Sequence, residues 1–114
     1  MKLHIKNKLI DCEIKNSAEG IKQGMMNRAR LEGCMVFILP YRGEQSFWMK
    51  NCLIPLDIVF CDNNKVTAIN KNCPPCEEEP CPNYRGYGNI ALEFKEGFCD
   101  EIGLKIGDEI IFKQ

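Results

Sequence analysis

The stretch from Ser46 to Phe60 constrains the fold more than any other part of this chain. It reads Ser46-Phe47-Trp48-Met49-Lys50-Asn51-Cys52-Leu53-Ile54-Pro55-Leu56-Asp57-Ile58-Val59-Phe60 and holds the only Trp. Two apolar runs flank a short connection, which predicts strands over 45–50 and 56–61 paired as a hairpin across Asn51 to Pro55. The simplest register sets Lys50 opposite Leu56, Met49 opposite Asp57 and Trp48 opposite Ile58. Asp57 then lies between apolar residues in a segment too hydrophobic for a solvent-facing edge. Burying a carboxylate without partners costs several kcal/mol, so Asp57 requires donors. The backbone N–H groups of the Asn51–Pro55 connection, Lys50 and Arg28 are the candidates. One reading makes Asp57 a structural carboxylate that pins the connection. The other makes Arg28, Trp48, Lys50, Asn51 and Asp57 the lining of a small-ligand pocket, with an aromatic wall, a cation and an anion.

The rest of the chain reads as β-rich. Residues 2–6 and 9–14 alternate apolar and polar side chains around Asn7-Lys8, which predicts a hairpin. Asn16 or Ser17 offers an N-cap, and Ala18, Ile21, Met25 and Ala29 recur at helical steps, so one helix is expected over about 17–30. Gly33 marks the exit. Cys34 to Leu39 is a continuous apolar run, as in a strand covered on both faces. Pro40-Tyr41-Arg42-Gly43 reads as a turn. Further strands are expected at 45–50, 56–62, 65–71 and 89–95, with one helical turn near 98–102 and a last strand before the C-terminus. The expected fold is a single α+β domain over residues 1–114. It is a barrel or sandwich of about seven to eight mostly antiparallel strands with one packed helix.

Residues 73–88 hold four of the six Pro and both glycines of an expected Arg85-Gly86-Tyr87-Gly88 turn, and show neither helical nor strand periodicity. A long loop inside a compact domain is ordinarily pinned or functional. Cys73, Cys76 and Cys81 are the available pins, and four readings stand open. They are reduced thiols packed beneath the loop, a Cys76–Cys81 disulfide, a zinc site on all three, or a redox pair at Cys73 and Cys76. Zinc needs a fourth ligand, which only the distant His4 among the imidazoles would supply. The run Glu77-Glu78-Glu79 raises a nearby thiol pKa, which is the wrong direction for a nucleophile. Cys12, Cys34, Cys52, Cys61 and Cys99 sit singly beside apolar segments and read as small buried hydrophobes.

Lys and Arg number 15 against 16 Asp and Glu, a balance without the basic excess of nucleic-acid binding. No apolar run approaches the roughly 20 residues that span a bilayer, and residues 1–8 lack the apolar core of an export signal. The expectation is a protein without nucleic-acid or membrane partners, either cytoplasmic or trimmed of a leader. No phosphate loop, nucleophile elbow or H-E-x-x-H motif occurs, and one His leaves little for imidazole acid–base chemistry.

The chain resembles the domain of unknown function family numbered 192, nearly from end to end. The resemblance is carried by Gly24-Met25-Met26 with Arg28, by Gly33-Cys34-Met35-Val36-Phe37, and above all by Phe47-Trp48-Met49-Lys50-Asn51 with Ile54-Pro55-Leu56-Asp57. It continues through Pro74-Pro75-Cys76 and Pro80-Cys81-Pro82 to Gly103-Leu104-Lys105-Ile106-Gly107-Asp108. Cys52 stands where the family usually has Thr, and Cys73 where it often has Ala, so Cys73 looks like a local addition and the zinc reading weakens. Many members carry export signals, which makes a disulfide between the Cys76 and Cys81 equivalents compatible with the resemblance. It implies a small β-rich domain and supplies no established activity. The leading expectation is a non-catalytic binding or accessory domain with a pocket near Trp48 and Asp57. A thiol-redox or zinc protein and a structural or protein-interaction domain are the alternatives.

Overall fold

The computed structural model describes residues 1–114. The elements run β1 (Lys2–Ile5), β2 (Lys8–Lys15), α1 (Ala18–Gln23), β3 (Cys34–Trp48), β4 (Leu56–Asp62), β5 (Lys65–Cys73), β6 (Asn83–Lys95), α2 (Phe98–Ile102) and β7 (Ile110–Lys113). All seven strands join one sheet in the order β5-β4-β6-β3-β2-β1-β7. The sheet curls into a half-barrel, and backbone hydrogen bonds link its two edges. Val66 N–H donates to Asp108 O at 2.9 Å, Gly107 N–H to Val66 O at 2.8 Å, and Ile110 N–H to Asn64 O at 2.9 Å. These contacts cover part of an exposed edge that would otherwise offer unpaired backbone groups.

Where Cys34–Phe37, Leu56–Cys61 and Ala91–Phe94 pair, the sheet is buried on both faces, which accounts for the unbroken apolar runs of β3 and β4. Side chains alternate between two hydrophobic clusters. Cys34, Val36, Val59, Cys61, Leu92 and Phe94 pack inside the curl with Cys99 of α2. Met35, Phe37, Leu56, Ile58, Phe60 and Ala91 pack on the opposite face with Met25, Met49 and Cys52. Asn63-Asn64 turns β4 into β5 with both residues at positive φ (51° and 61°), as a two-residue hairpin loop requires.

Four local expectations are corrected. The segments 45–50 and 56–61 do not form a hairpin. β6 lies between them, pairing Trp48 with Asn83 on one side and Leu56 with Lys95 on the other. Since β6 is antiparallel to both, β3 and β4 run in the same direction, and residues 49–55 must travel back across a face of the sheet. The Pro40–Gly43 segment is not a turn either. β3 passes through it with a register shift between Ile38 and Gly43, the kind of irregularity at which a sheet tolerates Pro. The expected helix over 17–30 is confined to Ala18–Gln23, capped by the Ser17 hydroxyl, which accepts from Gly20 N–H at 3.0 Å. It stops at Gly24 (φ 42°), which lets the backbone lie close to the Phe37 ring.

The fourth correction concerns Arg85-Gly86-Tyr87-Gly88, which is strand rather than turn. A Cβ at Gly86 would fall 2.3 Å from the Phe60 ring, and one at Gly88 (φ 145°) would fall 1.9 Å from the Cys61 carbonyl oxygen. These glycines let β6 cross β4 at close range. Gly88→Ala is therefore expected to cost about 3 kcal/mol or more, through overpacking and backbone strain. Gly97→Ala, with φ 90° but open space around it, should cost only about 1 kcal/mol. Denaturant unfolding of the two variants checks the contrast, and equal losses would contradict it.

Candidate ligand-binding cavity

A cavity of about 250 Å³ opens between α1 with its exit segment, the end of β3, and the returning connection 49–55. Each wall has a sequence cause. α1 ends early at Gly24, so Met25 and Met26 fold back over the sheet and Met26 forms an isolated bridge with Cys52. Phe37 and Phe47 contribute from β3. Their rings meet edge to face with centroids 5.0 Å apart, and Phe47 makes a second such contact with Phe60 at 5.3 Å. Trp48 lines the opening and is 40% exposed. Lys22, Lys50 and Asn83 also line the cavity.

The most unusual group on the cavity wall is Glu93. It sits near the C-terminal end of β6, paired in register with Met35 and Ile58, and is 4% exposed. Its Oε1 is the one buried side-chain polar atom without a hydrogen-bond partner. Burial pushes its carboxyl from an ordinary 4.5 up to about 8, so it holds its proton at neutral pH. Burial likewise pushes the Cys52 thiol, on the same wall, up to about 11. A thiol in that state is a poor nucleophile.

The structure separates the five residues expected to form one pocket. Trp48 and Lys50 line the cavity. Lys50 Nζ also approaches Glu79 Oε2 at 3.5 Å. Asn51 is exposed at positive φ (61°) and acts through its backbone, accepting from Asn27 N–H at 2.8 Å and donating to Cys76 O at 3.0 Å. Arg28 forms a two-pronged pair with Glu13 of β2, both N–O distances 2.8 Å. Asp57 is fully buried on the α2 face, one register step from Glu93 and on the opposite side of the sheet.

Donors hold Asp57, as its position demands, but none of the expected groups is among them. Oδ1 accepts from Asn72 N–H at 2.9 Å, and Oδ2 accepts from Cys99 N–H at 3.0 Å. The carboxylate thereby ties β4 to the end of β5 and to the first turn of α2. It is a structural anchor that does not line the cavity, where Glu93 is the one carboxyl.

Glu93 was open to discovery in the sequence. Ala91 and Glu93 share a face of β6, and once that face is covered its polar member is buried. Without the partner strands, Asn89–Lys95 reads as ordinary alternation with a solvated polar side.

Cys76 and Cys81 form a disulfide, with sulfurs 2.04 Å apart. Cys73 is separate and buried at the end of β5, its thiol 3.4 Å from Asn70 O. The bridged loop lies against the cavity's connection. Cys76 N–H donates to Met49 O at 3.2 Å, and Lys50 forms an isolated parallel bridge with Cys76.

Two variants follow from the two acids. Asp57→Asn is expected to cost about 2–4 kcal/mol in denaturant unfolding, because it loses two charge-assisted bonds and turns an amide toward backbone donors. Retention of full stability would show that the anchor is dispensable. Glu93 has a raised folded pKa, so the folded state keeps a proton that the unfolded chain releases above about 4.5. Its stabilising contribution is full below that value, falls as pH rises, and is gone above about 8. Glu93→Gln should therefore flatten the decline in unfolding free energy between about pH 5 and 8, and should be more stable than the parent at the alkaline end. Parallel profiles for the two proteins would contradict the burial argument.

The family model DUF192, described as uncharacterized ACR, matches residues 1–112. Among solved structures, the fold is similar to a protein of unknown function from Novosphingobium aromaticivorans, with TM-score 0.85 and 26% identity over 97% of this chain and 84% of that one. It is also similar to a protein from Sinorhizobium meliloti described as a candidate transcription regulator. That likeness has TM-score 0.83 and 23% identity over 96% of this chain and 89% of that one, and it shows the fold alone. No curated protein matches. No helix is long and apolar enough to cross a membrane.

Proposed function

The chain belongs to the DUF192 family, and we propose that it is a non-catalytic binding or accessory domain that takes a small ligand in the cavity between Trp48 and Glu93. One observation carries the reading. Glu93 lines the cavity, and its buried Oε1 has no hydrogen-bond partner in the protein. A polar atom in that condition costs about 1–3 kcal/mol, which a donor from a bound molecule returns. Most of the remaining wall is apolar and aromatic, with a few polar groups to fix orientation, as in ordinary small-molecule sites.

A binding role fits this wall better than catalysis does. The only imidazole belongs to His4 on β1, the Cys52 thiol is protonated at neutral pH, and Glu93 is the single carboxyl lining the cavity. Acid–base work ordinarily uses a pair of groups poised in opposite states.

Thermal-shift screening with small-molecule mixtures tests the proposal, followed by calorimetric titration. At least one ligand is expected to raise the Tm, since a hundredfold excess over Kd adds about 2.7 kcal/mol. Trp48→Ala should weaken that ligand tenfold or more. Silence across the screen, or unchanged affinity in Trp48→Ala, would remove the proposal.

A further inference from the structure

We propose that the cavity receives a small organic ammonium ion, its N–H groups on the Glu93 carboxylate and its carbon chain against Trp48, Met26 and Phe47. This rests on reading the cavity as a ligand site and adds the charge and size of the ligand.

Three observations lead there. The first is the vacant acceptor. Glu93 Oε1 lacks any partner within the protein, so once the carboxyl is ionised its partner is a donor brought from outside. The second is the state of the charged and titratable groups around it. Cys34 of β3, Cys52 of the connection and Cys73 of β5 all lie close enough to feel the Glu93 charge, and burial holds all three thiols protonated. Lys50 faces Glu79 of the bridged loop, and Lys22 of α1 is exposed to solvent. The nearby lysine charge is thus matched or solvated, and Glu93 has no countercharge of its own. An anionic ligand would meet a carboxyl that can only stay protonated, whereas a cation supplies both the charge and the donors.

The third is the character of the walls. Indole and phenyl faces attract cations, and thioether sulfur is soft and adaptable, so Trp48, Phe47 and Met26 suit the carbon atoms next to an ammonium. The cavity volume of about 250 Å³ lies just below the usual ~300–1,000 Å³ of drug-sized sites, which limits the ligand to a short chain.

Binding then carries a proton. The Glu93 O–H bond breaks, the proton leaves to solvent, and the carboxylate and ammonium form an ion pair. No electron transfer is involved. Uptake of the amine is therefore linked to pH across the range in which Glu93 changes state.

The probe is n-butylammonium, with n-butanol and butyrate as isosteric controls, measured by Trp48 fluorescence and by calorimetry in buffers of different ionisation enthalpy. Butylammonium should bind at least tenfold tighter than either control. It should release about one proton per ligand near pH 6 and almost none near pH 9, its affinity rising up to about tenfold per pH unit between them. Glu93→Gln should lose at least tenfold in affinity. Proton release in the unmodified protein decides the matter even if that variant folds poorly. Equal affinity for butanol, preference for butyrate, binding without proton release, or no binding of any probe would each overturn the inference. If a control binds and Trp48→Ala abolishes that binding, the cavity remains a ligand site and only the ammonium assignment falls. If the wider screen is also silent, both fall.

Discussion

Strand β6 runs between β3 and β4 with both faces of its Ala91–Phe94 segment covered, and the other features of the domain follow from that placement. In a sheet buried on two sides no central position has a solvated face, so every polar side chain there has to be answered locally. Asp57 and Glu93 lie on neighbouring strands, one register step apart, and point to opposite sides. Asp57 receives two backbone N–H groups and becomes a cross-brace between β4, β5 and α2. Glu93 receives nothing at Oε1 and keeps its proton instead. Ionising it unaided in that position would cost several kcal/mol, more than the protonated form forfeits through one unmet acceptor.

The same placement makes the cavity. With β6 between them, β3 and β4 point the same way, so the chain between Trp48 and Leu56 returns over the sheet instead of turning tightly at its edge. That return brings Lys50 and Cys52 above the Glu93 face, where Met25 and Met26 arrive from the exit of α1. Two irregular segments crossing one sheet face fit together less closely than a helix would. The bridged Cys76–Cys81 loop supports the return segment from outside through backbone bonds to Met49 and Asn51.

Much of this was legible in the chain where a local cause sets the local structure. The first hairpin, the short helical turn at 98–102 and the doubly covered run at Cys34–Phe37 depend on neighbours a few residues away. The demand of Asp57 for donors was equally legible, because it follows from charge and burial alone. The identity of those donors was not, since Asn72 and Cys99 come from elements 15 and 42 residues away. The supposed Trp48–Asp57 hairpin failed for a related reason. Two apolar runs with a short connection satisfy the hairpin pattern equally well whether or not a third strand inserts between them. Glycines at 86 and 88 resembled turn residues, but their need arises from Phe60 and Cys61 on another strand.

Trp48 and Lys50 line the cavity, and Asp57, the acid expected beside them, does not. The distinction between the two acids is one of satisfaction rather than of burial, since both are nearly or fully hidden from solvent. A satisfied buried carboxylate adds to the stability of its surroundings, and its chemistry is spent on the protein's own backbone. An unsatisfied one leaves a cost that no rearrangement of the packed β6 neighbours removes, because Met35 and Ile58 beside it have no polar atoms in their side chains able to donate. Glu93 thus lines the cavity with its acceptor unmet, whereas Asp57 is a joint in the frame.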